Sequence, residues 1–259
     1  MNRRKFAQAS MMAGGAALFG GAAYRFGSPA LAMAQSLRTL PDPAASGIEH
    51  IVVVTMENRS FDHFFGWFPN ADGKQAGLTY LDPGGTAHPT QSLSGDNTGC
   101  PAADPDHSYS GARVEYNGGK MDGFLLDTAN DTYCIGYYGE KDIPFYANLG
   151  RNYTTCDHYF AAILGPTFPN RMFIHAAQTD RLDDTITPST LPTIWDSLAA
   201  AGVSHAYYFN NIPYLALWGI KYLDITRTYS QFKEDAAGGN LPAVARVIAY
   251  TDAAFSTNA

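Results

Sequence analysis

Charge is scarce in this chain. Charged residues make up 16% of its 259 residues, and the acids outnumber the bases 24 to 17. A nucleic-acid surface needs a dense basic stripe, so no nucleic-acid partner is expected. Cysteine is scarcer still. Cys100, Cys134 and Cys156 are too few and too irregularly spaced for a zinc site. They permit one disulfide with one thiol left over, the pairing stays open, and a buried or bridged state is expected for Cys156. After the N-terminus no apolar run reaches the length of about 20 residues that a membrane helix needs. Internal repeats and low-complexity tracts are also missing, which excludes solenoids and disordered linkers as the main body.

What is present is apolar and aromatic. Hydrophobic residues reach 46%, with 16 Tyr and 15 Phe, enough to bury one large α/β core or two small ones. The N-terminus reads differently from the rest. Asn2-Arg3-Arg4-Lys5-Phe6 precedes a mild Ala/Gly-rich stretch, and small-x-small sites end at Ala32 and Ala34. This is the pattern of a twin-arginine export signal over residues 1–34, with residues 35–259 as the functional domain and a periplasmic or secreted location. An uncleaved anchor is the alternative; Gly14, Gly15, Gly20, Gly21 and Arg25 break the run it would need. Loss of Arg3, Arg4, Lys5 and Arg25 leaves a net charge of about −11, which gives no electrostatic pull towards anionic lipid.

Residues 35–47 read as a Pro/Ala-rich linker. Residues 48–56, around Ile51-Val52-Val53-Val54, read as a strand buried on both faces. Ser60 caps a short helix ending at Gly66, and a long Gly/Pro/Asp/Asn-rich region follows over 67–118. Further helices are predicted from Asp142 to Arg151, Met172 to Gln178, Thr193 to Ala201 and Tyr229 to Ala237. Strands are predicted over 152–157, Ser204 to Phe209 and Val244 to Ala249. This alternation implies an α/β fold with a mostly parallel central sheet and helices on both faces.

The chemistry gathers at a few places. Glu57 and Asn58 end the first apolar run, and ligands sit at the carboxyl ends of strands in open α/β sheets. Two adjacent hard oxygen donors suit a divalent cation, against the plainer reading of polar residues at a strand end. Thr167 follows Gly165-Pro166 at a helix start, where backbone N–H groups and the helix dipole favour an anion. A neighbouring metal would make its hydroxyl a nucleophile, against the plainer reading of an N-cap. His107, in Asp104-Pro105-Asp106-His107, is placed to contact a phosphate oxygen or protonate a leaving group. Asp62-His63 and Asp157-His158 read as local orientation or capping. His88, His175 and His205 read as structural.

Ile48-Glu49-His50-Ile51-Val52-Val53-Val54-Thr55-Met56-Glu57-Asn58-Arg59-Ser60-Phe61-Asp62-His63-Phe64-Phe65-Gly66, then Asp104 to His107, Gly118-Gly119-Lys120-Met121-Asp122-Gly123-Phe124, and Gly165-Pro166-Thr167-Phe168-Pro169-Asn170-Arg171 occur in that order. In these segments the chain resembles the bacterial phosphoesterases that include phospholipases C and an acid phosphatase. The resemblance implies an alkaline-phosphatase-like α/β fold, incomplete at the C-terminus. It implies a divalent metal ion held by Glu57, Asn58 and Thr167, with Thr167 as nucleophile and His107 on the phosphate. The substrate implied is a phospholipid or related phosphate ester, met in transient contact with a membrane surface. The family's remaining acidic ligands and histidines have no counterpart here, so a truncated remnant that binds phosphate or metal weakly is the alternative. A sulfatase-like hydrolase fits less well, since Cys-x-Pro-x-Arg is absent. An aromatic-rich binding protein is the generic fallback.

Overall fold

The computed structural model describes residues 45–57, 59–95 and 102–248. The chain divides into two compact units, Met1–Ile48 and Glu49–Ala259. The proposed export signal lies outside the described residues, as do Asn58 and Cys100. Everything that follows concerns the second unit.

Strand β1 (Ile51–Thr55) is followed by helix α1 (Phe61–Phe65), whose Ser60 Oγ accepts the His63 N–H at 3.2 Å, as the sequence predicted. The long polar region contains strands β2 (Thr79–Leu81), β3 (Ala87–Pro89) and β4 (Gln91–Ser92), then helix α2 (Gly111–Tyr116). Next come β5 (Gly136–Tyr137) and α3 (Pro144–Asn152), with proline in the first turn of the helix, where its missing N–H costs nothing. The elements that build the main sheet follow: α4 (Thr167–Ala176), α5 (Ile194–Ala200), β6 (His205–Phe209), β7 (Thr226–Thr228), α6 (Tyr229–Ala237) and β8 (Val244–Ile248). Thr193 and Thr228 each start their helix with a reciprocal capping box, closed by Asp196 and Gln231.

The sheet has the order β1-β8-β6-β7, and all of its pairings are parallel. Side chains alternate between its faces. One face carries Tyr207 and Ile248 against Met172 of α4, Trp195 of α5 and Trp218. The other carries Ala206, Tyr208, Ala245 and Val247 against Tyr229 and Phe232 of α6. Burial of each large apolar side chain contributes about 1.5–3 kcal/mol, so these two layers hold the sheet. The expected α/β architecture, with helices on both faces, is observed.

Three local expectations are corrected. Residues 152–157 form no strand; after α3 the chain turns without a ladder partner. Helix α4 begins at Thr167 rather than Met172, since proline at its third position fits a first turn. The third correction concerns β1, which was expected to be buried on both faces. Ile51, Val52, Val53 and Val54 are all exposed, Ile51 at 55% and Val54 at 57%; among the described residues β1 pairs with β8 alone and little covers its faces. Cys134 and Cys156 are free thiols. Cys156 is exposed, contrary to expectation, whereas burial pushes the Cys134 thiol up to about 12.

His63 carries a testable consequence of this packing. Its side chain is buried, and its Nδ1 lies 2.9 Å from the Gly136 carbonyl. Burial first, and the charge of Arg59 second, lower its pKa from 6.5 to about 4. The unfolded chain takes this proton near pH 6.5 and the folded chain only near pH 4. Stability should therefore be full above pH 6.5, decline by up to about 3 kcal/mol towards pH 4, and level off below it. Urea midpoints measured across this range check the slope, and His63→Phe should flatten part of it. A wild-type midpoint constant from pH 7 to pH 4.5 would contradict the assignment.

Candidate active site

The loop before α4 is held by one amide. Asn170 Oδ1 accepts the Ile163 N–H at 3.2 Å, and its Nδ2 donates to the carbonyls of Ile163, Gly165 and Pro166, each at 3.1 Å. Pro166 is the N-cap residue and Thr167 the first helical residue, half-buried, with no cap bond from its own side chain. The plain N-cap reading of Thr167 therefore does not hold. The helix start also offers fewer donors than expected. Asp184 Oδ1 accepts the Phe168 N–H at 2.7 Å, and Pro169 has no N–H to give.

Thr167, Arg171 and His175 are spaced four apart, on one stripe of α4. Arg171 is 1% exposed; its guanidinium forms an ion pair with Glu57 and lies 4.5 Å from the centroid of the Tyr214 ring. Glu57, whose side chain is 24% exposed, stands just past the carboxyl end of β1, as predicted. Sequence separation hides this meeting, and Arg171 thus connects the Glu57 carboxylate to the helix that begins with Thr167. His175 accepts the Trp195 indole N–H on Nδ1 at 3.1 Å, so its proton sits on Nε2. Burial, then the charges of Arg246 and Arg171, hold its pKa well below the usual value.

Arg246 is the residue that the sequence reading missed. Its backbone partner across the sheet is Val53, yet its Nη2 donates to Thr55 Oγ1 at 2.6 Å, two residues nearer the strand end. The guanidinium therefore reaches the carboxyl end of β1. Burial first, and the like charge of Arg171 second, lower its pKa to about 10. A charged residue inside the otherwise apolar Val244-Ala245-Arg246-Val247-Ile248 was the available signal.

His107 is exposed, with Nδ1 2.8 Å from the Pro105 carbonyl and 3.9 Å from Asp104. It lines an open cleft of about 660 Å³ with Asp106, Tyr109, Pro166, Asp183 and Asp184, which puts it beside the Thr167 turn. The Asp104–His107 loop is anchored to the glycine-rich segment through Asn130. Asn130 Oδ1 accepts the Asp106 N–H at 2.7 Å, and its Nδ2 donates to the Phe124 carbonyl at 2.7 Å. Gly123 is required there, since a Cβ would lie 1.9 Å from the Val114 carbonyl oxygen.

For a cation, Glu57 and Thr167 fit in kind, being hard oxygen donors, but not in number. Among the described residues there is no group of three or more His, Cys, Asp or Glu side chains able to hold a metal. A divalent ion of this class seeks about six oxygens.

A family model described as the phosphoesterase family matches residues 48–254. Non-specific phospholipase C6 of Arabidopsis thaliana is 30% identical over 223 residues, covering 77% of this chain and 43% of that relative. Phospholipase C A of Mycobacterium tuberculosis is 31% identical over 246 residues, covering 81% and 46%. Phospholipase C B of the same organism is 33% identical over 205 residues, covering 64% and 39%. The chain spans less than half the length of these curated relatives.

Proposed function

The chain belongs to the phosphoesterase family, and on that premise we propose that it is an exported, metal-dependent phosphoesterase resembling phospholipase C. Its substrates would be phospholipids or related phosphate esters. The carrying observation is the Glu57–Arg171 ion pair, which couples the end of β1 to the helix that Thr167 begins. In the proposed reaction the Thr167 hydroxyl gives its proton to solvent water, and its oxygen bonds to phosphorus as the bond to the leaving alcohol breaks. His107 delivers a proton to the departing oxygen, and water then hydrolyses the phosphothreonine. Asn170 and Asp184 fix the helix start, so the hydroxyl is positioned before substrate arrives. A divalent cation on Glu57, Asn58 and Thr167 would supply charge to stabilise the alkoxide; its further donors must come from outside the described residues. Exposed Tyr159 and Phe160, at 83% and 78%, support a transient membrane-surface contact during attack on phospholipid.

A second reading, a catalytically silent remnant that binds phosphate or metal weakly, is favoured by the short ligand set among the described residues. Acid quenching of the full chain during reaction with p-nitrophenyl phosphorylcholine and divalent metal separates the two. The first reading expects slow release of nitrophenol and a phosphorylcholine mass increase on the peptide containing Thr167. Modification on another residue would overturn the mechanism, and no release at all would favour the remnant.

A further inference from the structure

We propose that Arg246 binds an oxyanion, the phosphoryl group of the ester, at the carboxyl end of β1 and β8, with Arg171 as a positioning residue that holds the Glu57 carboxylate beside it. The inference deepens the phosphoesterase reading and rests on it for the identity of the anion.

Two guanidinium groups lie close enough here to repel: Arg171 pairs with Glu57, while Arg246, bonded to Thr55 two residues before Glu57, feels the charge of Arg171. Like charges gather in a partly dry site when something negative balances them. Their donors are also incompletely used. Arg171 Nε and Nη1, Arg246 Nε and His175 Nε2 are buried without a hydrogen-bond partner among the described residues. Arg171 and His175 are exposed by only 1% and 2%, so bulk water does not serve them. Among the described residues the site therefore has a surplus of positive charge and of donors, the signature of a missing acceptor. The start of α4 does not meet this need elsewhere, because Asp184 occupies one of its N–H groups and Pro169 lacks another. An anion at Thr167 must find its counter-charge in side chains. Arg246 is the one suited to touch it. It is half-buried, and its Nη2 bond to Thr55 aims the fork past the strand end. Arg171, fully buried behind Glu57, acts through that carboxylate.

Inorganic phosphate titrated into the full chain by calorimetry, with chelator present to exclude metal, tests this directly. Saturable binding at millimolar phosphate is expected, unaffected by equimolar acetate. Arg246→Gln should weaken it at least tenfold and Arg246→Lys by an intermediate factor, while Arg227→Gln, on the far edge strand, should leave it unchanged. Circular dichroism verifies that each variant is folded; if Arg246→Gln is not, the lysine variant carries the comparison. Absent phosphate binding, or equal binding in wild type and both Arg246 variants, overturns the proposal. The two readings fail separately: phosphate binding sensitive to Arg246 without turnover would sink the enzyme and keep the oxyanion site. Turnover with binding insensitive to Arg246 would do the reverse.

Discussion

Replacing Thr167 with alanine is expected to lower phosphate-ester hydrolysis by at least about 10³-fold, because the proposed mechanism forms its covalent intermediate on this hydroxyl oxygen. The local structure makes this a clean experiment. The side chain of Thr167 caps nothing, since Pro166 is the N-cap residue and Asp184 holds the Phe168 N–H from outside the helix. Asn170 keeps the preceding loop in place without help from the hydroxyl. Alanine is also a better helix former than threonine, so folding should be unaffected. Thr167→Ser keeps an oxygen at the same position and should retain much of the rate. Initial rates with p-nitrophenyl phosphorylcholine at saturating divalent metal, beside thermal melts of each variant, are the measurement. Turnover that survives Thr167→Ala undiminished would end the nucleophile assignment.

Removing the Glu57 carboxylate is expected to cost stability as well as chemistry. Glu57→Ala leaves the Arg171 guanidinium, 1% exposed, without its counter-ion. Breaking such a pair by deleting one member costs about 3–5 kcal/mol; contact of Glu57 with water puts the expectation near the lower figure. At about 2–4 °C per kcal/mol for a domain of this size, the melting temperature should fall by about 10 °C. Replacing both members, as Glu57→Leu with Arg171→Met, should recover most of that loss, because the cost lies in the stranded charge. Adding divalent metal gives an independent readout. If Glu57 is a ligand, magnesium or calcium should raise the melting temperature of the wild type and not of Glu57→Gln. A Glu57→Ala protein that melts with the wild type would show that the pair contributes little to the fold.

The residues of this region differ in how far the chain alone revealed them. Thr167 and Glu57 stand in contiguous motifs, one after Gly165-Pro166 and one after an apolar run, and both are placed where their local sequence put them. His107 is likewise in its expected polar loop, facing the cleft beside Pro166. Arg171 was visible only as the last letter of a motif, without a role, and Arg246 not at all. Their function depends on meeting Glu57 and Thr55 across the sheet, and no window of sequence contains both partners. The burial of β1 was misjudged for a related reason. An apolar run establishes that a strand can be covered, but only the ladder says that, among the described residues, β1 has β8 alone beside it.

Local chemistry thus lies within the sequence: the caps at Ser60, Thr193 and Thr228, the proline at the start of α3, and the order of strand and helix that dictates a parallel sheet. Each of these is settled by residues within a turn or two of one another, where steric fit and hydrogen bonding act over a few ångströms. The tertiary structure alone decided which charges converge. Packing of α4 against the sheet brings Arg171 to Glu57, and the parallel register of β8 beside β1 carries Arg246 to Thr55. Electrostatic balance at a site is a property of neighbours in space, and chain distance says little about it.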